Sequence, residues 1–187
     1  MSDAREAAQG GPAHPAVPSP SGRRSELSGA VSTARAEALA AHPFLAGMDA
    51  DRLAALADLA VPVRLPAGTR LFTEGGAAER FWLIESGQVA LDIQLPGRGA
   101  VLVETLGAGQ VLGWSWLEPP YRWHFGAATR ATTDAFEFDA DAVRERCDVD
   151  PALGYALLRR FLPVVVNRLQ ASRIRLLDLY APGAQAR

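Results

Sequence analysis

The chain has 187 residues, 49% of them hydrophobic, with a formal net charge of −2. That is long enough for one domain with its own core, too apolar for a wholly disordered chain, and too near neutral to call for nucleic acid or an acidic membrane surface. Lysine is absent, which excludes Schiff-base chemistry, and the single cysteine, Cys147, cannot close an internal disulfide, which fits a reducing, cytoplasmic setting.

Residues 1–32 read as a disordered tail, because AAQGGPAHPAVPSPSG offers almost no large apolar side chain to offset the entropy of ordering it. Arg23-Arg24 lacks the apolar stretch of a twin-arginine signal, and no run reaches transmembrane length. Residues 33–60 read as amino-terminal helices. Ala34 to Ala41 favours helix, His42-Pro43 breaks it, and Asp49 stands as an N-cap before ADRLAALADLA. Leu53, Leu56 and Leu59 then form one apolar stripe.

Residues 61–140 change texture. Short β-prone runs alternate with turns at Gly68, Gly87, Gly97 and Gly109, the pattern of an all-β barrel or sandwich. Phe81, Leu83, Val89, Leu91, Ile93 and Leu95 are expected to alternate inward. Residues 141–180 return to helix. Asp150 can cap, with Pro151 at the first helical position, and Pro163 should kink or split the helix in which it lies. Charge divides along the same lines: residues 36–140 carry 7 Arg against 13 acidic residues, and residues 141–187 carry 8 Arg against 5. The arginines at 159, 160, 168, 173 and 175 are read as a solvated face beside an apolar seam of Leu158, Leu162, Val165, Leu169 and Leu176, which would pair two copies of the chain.

GQVLGWSWLEPPYRWHFGAATRA, residues 109–131, holds three of the four tryptophans. Trp114, Trp116, Tyr121, Trp123 and Phe125 fall almost at every second position. Three readings stand: a stripe that fills the interior, an altered pocket for a flat or hydrophobic ligand, and a protein-docking surface rich in Trp, Tyr and Arg. His14, His42 and His124 form no ligand pair with one another or with Cys147, so neither a metal nor haem is expected. Cys147 has no sequence-adjacent His partner and reads as an inert buried thiol.

The order helix, glycine-punctuated β-roll, long helix resembles the cyclic-nucleotide-binding-domain-like superfamily over about residues 42–180. The resemblance is carried by LPAGTRLFTEGGAAERFWLIESGQVAL (65–91), by TLGAGQVLGWSWL (105–117), which is similar to the family's L-G-x-G-x-x-x-G approach to its phosphate cassette, and by RATTDAFEFDADAVRERC (130–147). It implies an α+β fold: a jelly-roll-like β-roll of about eight strands between amino-terminal helices and long carboxy-terminal helices. It implies a ligand site at Gly113, Trp114, Ser115, Trp116, Leu117, Arg122, Phe125, Gly126 and Ala127. In the family a Glu follows the glycine at 113 and holds the ribose, and an Arg pairs with the cyclic phosphate. Here Trp114 stands at the first position and Phe125 at the second. Losing such a charged contact costs about 2–5 kcal/mol, so cAMP and cGMP are not expected as ligands. Backbone N–H groups after Gly113, with Ser115 and a reoriented Arg122, are the remaining route to an anion.

The sequence therefore reads as a stand-alone regulatory or sensory module without catalysis, or as an interaction scaffold whose pocket is filled; a divergent transcription-regulator subunit ranks below both. The expected partners are a small molecule of unknown identity, a second copy of the chain, or another protein. No cofactor, nucleic acid or membrane is called for, and with only APGAQAR after Tyr180 no helix-turn-helix is expected.

Overall fold

The computed structural model describes residues 20–180, with side chains for 29–174. Helix α1 spans Pro20–Ala41. It starts at Pro20 rather than at residue 33, so part of the expected tail is helical, and residues 1–19 of that tail lie outside the described residues. The reason is local: Pro suits a first helical position, and the run to Ala41 is mostly Ala, Glu, Arg and Leu, which favour helix without needing a large apolar face. At His42-Pro43 the helix gives way to a 3₁₀ turn, Pro43–Leu45, and α2 (Ala50–Ala57) comes after it, with Asp49 capping Arg52 N at 3.0 Å.

Eight strands come next: β1 (Ala60–Leu65), β2 (Arg70–Phe72), β3 (Arg80–Ser86), β4 (Gln88–Leu95), β5 (Gly99–Gly107), β6 (Val111–Leu112), β7 (Gly126–Thr129) and β8 (Thr133–Asp139). They form two four-stranded antiparallel sheets, β1-β8-β3-β6 and β2-β7-β4-β5. The turn between β3 and β4 requires glycine: Gly87 has φ 89°, and a Cβ there would collide with the backbone of Thr132 and Thr133.

Strict alternation along β3 and β4 does not hold. Phe81, Trp82, Leu83 and Ile84 are all buried, as are Val89, Ala90 and Leu91; on β3 both faces are covered, Phe81 packing on Trp116 and Phe161 and Trp82 on Phe72 and Trp123. Leu95 is exposed, not inward, since it lies at the tip of the β4–β5 hairpin beyond the packed interior.

Two helices close the chain, α3 (Ala140–Val149) and α4 (Pro151–Tyr180). Asp150 caps α4 through Ala152 N and Leu153 N at 3.1 and 3.2 Å. Pro163 does not split α4, which runs unbroken through it; the residue is exposed, so the carbonyl it deprives of a partner can turn to water. Phe161 anchors the helix on the roll, with ring centroids 5.8 Å from Phe81, 5.6 Å from Trp116 and 4.7 Å from Phe44. Leu158, Leu162 and Leu169 are exposed on the far face, and the side chain of Leu176 lies outside the described residues.

Candidate functional site

The glycine-rich approach ends at Gly113, buried with φ 86°. A Cβ there would lie 3.0 Å from the Trp123 ring, so glycine is what lets that indole pack against this turn. A short 3₁₀ turn, Ser115–Leu117, comes next and is closed by Leu117 N donating to Trp114 O at 3.1 Å.

Gly113, Trp114, Ser115 and Phe125 do come together, with Phe72, Leu91, Leu112, Trp123, His124 and Arg168, around the interior of the roll. The space they leave is about 10 Å³ for a water centre, scarcely enough for one water. Trp123 is one of the side chains that narrow it, lying on Phe72 with centroids 3.8 Å apart and planes 13° apart. Its backbone is fixed by pairing with the β2–β3 turn: Gly75 N donates to Trp123 O, and Trp123 N to Gly76 O, at 2.8 and 2.9 Å. Trp114 stacks on His124 at 5.1 Å, and His124 Nδ1 shares a 3.1 Å hydrogen bond with Ser115 Oγ. The Ser115 hydroxyl, expected to serve an anion, already has a partner.

The other candidates lie elsewhere. Trp116 packs on Phe81 at 4.9 Å, away from the void, and its buried indole N–H has no hydrogen-bond partner among the described residues. Leu117 joins the core. Arg122 does not turn inward. It is exposed, its Nη1 donates to Gly75 O at 2.8 Å, and its backbone bridges to Ala77. Gly126 and Ala127 sit in β7; Gly126 lies against the Arg70–Asp92 ion pair (2.6 Å), which would have to shift to admit a Cβ, and Ala127 is paired with Leu91.

Arg168 corrects the reading of the α4 arginines as one solvated face. It turns under the roll, donates to Val111 O at 3.0 Å and pairs with Glu104 at 3.5 Å. Burial holds its pKa below the usual guanidinium value, against the opposing pull of Glu104. Among the described residues it is the one arginine lining the void, and its spacing from Phe161 and Val164 on the inward face of α4 was the sequence signal that could have placed it there. Two other titratable groups are settled by burial. Cys147 has its thiol pushed up by burial and by Asp148 and Asp150, which disfavours a nucleophilic thiolate. His42 receives the Phe44 N–H at Nδ1 (3.3 Å) and donates from Nε2 to Ile84 O (3.1 Å), so it is a neutral structural imidazole.

Comparison with known proteins agrees with this architecture. Residues 62–150 match the model of the cyclic nucleotide-binding domain family. A curated relative from Mycobacterium tuberculosis, a CRP-like cAMP-activated global transcriptional regulator, is 29% identical over 154 residues, covering 81% of this chain and 67% of the relative. A cyclic nucleotide-binding domain from Methylobacillus flagellatus superposes with a TM-score of 0.65 at 22% identity, covering 74% of this chain and 78% of that one. The catabolite activator protein of Thermus thermophilus gives 0.60 at 17% identity, covering 74% and 63%. Identities this low speak to the fold.

Proposed function

From the match of residues 62–150 to the cyclic nucleotide-binding domain family, we propose that this chain is a non-catalytic regulatory module that keeps the family's roll but not its ligand. The observation that carries the reading is the Trp123–Phe72 stack, which leaves room for about one water where the family's ligand would enter. The remaining polar groups do not favour a cyclic phosphate. Trp114 and Phe125 supply no charge, Ser115 is bonded to His124, and Arg168 is committed to Glu104 and Val111 O.

In this reading the filled roll is a scaffold, and α4 is its working surface. Leu158, Leu162 and Leu169 are exposed on one face of α4 with half-buried Val165 between them, and the four recur at alternating spacings of four and three, the pattern of a paired-helix seam. A second copy of the chain is the proposed occupant, giving a homodimer of cytoplasmic modules. A sensory variant of the reading is favoured by one observation: Trp114 is only half-buried and rests on exposed His124, so it could swing outward for a flat ligand.

Calorimetry with cAMP and cGMP tests the proposal. No saturable heat is expected up to about 1 mM, a level equivalent to about −4 kcal/mol of binding. Trp114→Glu with Phe125→Arg should remain silent, and adding Trp123→Ala should be needed to gain binding. Micromolar binding by the natural chain would overturn the filled-roll reading.

A further inference from the structure

A second concave site lies outside the roll, between the turn after α1, the start of α2 and the first half of α4. This cleft of about 770 Å³ is lined by Arg52, Arg159, Arg160, Tyr155, Met48 and Phe44 among others, and shares no residue with the void beside Trp114. No lining residue is acidic. Arg52 is paired with Asp49, just outside the lining. Arg160 donates to Ala156 O at 2.9 Å and Ala46 O at 3.2 Å, which fixes its guanidinium without neutralising it. Arg159 stands over the Tyr155 ring at 5.8 Å and enters no ion pair among the described residues. Two arginine charges therefore face one cleft with donors to spare and no carboxylate.

We propose that this cleft binds a compact polyanion, a small molecule carrying two or more phosphate groups. Arg159 and Arg160 grip it, Arg52 assists, and Tyr155 covers one side. Guanidinium forks match phosphate oxygens in geometry and keep their charge at any physiological pH. The volume lies within the range of small-molecule sites, roughly 300–1,000 Å³. A long polyanion such as a nucleic acid is disfavoured, because the chain as a whole carries a formal net charge of −2 and offers no broad positive field to an extended phosphate backbone. The ligand would bridge α2 and the turn at Ala46 to α4, and so clamp the helix that carries the proposed dimer seam.

Sodium tripolyphosphate is the probe, titrated by calorimetry into the full chain at low salt and at 0.15 M salt. Saturable binding is expected, weakening as salt rises. Arg159→Ala should reduce affinity about tenfold with little change in thermal midpoint, since Arg159 holds no ion pair in the free protein. Arg159→Gln, which keeps most of the side chain's length, is the second variant should the first fail to fold, and it should lose affinity likewise. Absence of saturable heat would overturn the proposal, as would binding unchanged in both variants. A polyglutamate peptide or a DNA duplex binding more tightly than tripolyphosphate through Arg159 would also overturn it, by assigning the cleft to a macromolecule.

Discussion

The indole of Trp123 lies flat on the ring of Phe72, 3.8 Å between centroids, and Trp82 stands beside both, its ring 5.8 Å from Phe72 and 6.3 Å from Trp123. Residues from β2, β3 and the segment before β7 thus meet in one aromatic stack inside the roll. Aromatic pairs of this kind contribute about 0.5–1.5 kcal/mol beyond the area they bury, so the interior is held shut by its own side chains.

Trp123→Ala should destabilise the fold by about 3–5 kcal/mol, the usual range for removing a buried tryptophan. The vacated volume is apolar and should take up a small aromatic molecule. Indole at about 1 mM should raise the thermal midpoint of the variant and leave the natural chain unchanged. An equal shift in both would show that indole binds elsewhere.

Leu162→Asp on α4 should give monomers in analytical sedimentation if the exposed seam joins two copies. Leu162 is 59% exposed and Leu169 51%, so a charge at either position should alter the fold of one copy by no more than about 0.5 kcal/mol. A natural chain that sediments as a monomer would refute the seam.

His42 makes stability depend on pH. Burial lowers its pKa from the usual value of about 6.5, more than its bond to Ile84 O raises it. The folded state therefore prefers the neutral imidazole, and the unfolded chain binds the proton more readily. By linkage, the stabilisation is fully present above pH of about 6.5 and is lost as pH falls below it. Between about pH 7.5 and 5.5 the midpoint in urea should fall, and His42→Gln should flatten that slope while lowering stability at pH 7.5 through the lost bonds to Ile84 and Phe44.

Arg168 and Glu104 should be energetically coupled. Both are half-buried, so Glu104→Gln leaves the guanidinium without a counter-charge, facing a neutral amide and the Val111 carbonyl. A double-mutant cycle with Arg168→Met should give a coupling of about 1 kcal/mol, at the upper end of the range for exposed pairs. The single Glu104→Gln change should cost more than the double replacement, because an unpaired buried charge is worse than none. Additive effects would mean the pair is solvated.

The sequence by itself determined the local grammar of this protein. Gly68, Gly87, Gly97 and Gly109 all adopt the positive φ that their turns demand, and Asp49 and Asp150 cap the helices they precede. Together with the spacing of the β-prone runs, these marked an all-β barrel or sandwich between helices, because turn and cap chemistry is decided within a few residues; the family resemblance narrowed it to a β-roll. The absence of charge at Trp114 and Phe125 was legible for the same reason: it is a matter of identity at a motif position. What fills the roll was not legible. Alternation marked Trp114, Trp116, Trp123 and Phe125 alike, yet Trp123 stacks inside on Phe72 while Trp116 packs on Phe81 beneath α4. Arg168 looked like its exposed neighbours until α4 crossed the roll and set it against Val111, 57 residues earlier. Such choices depend on which distant strands and helices meet, and a side chain's burial is set by that packing rather than by its neighbours along the chain.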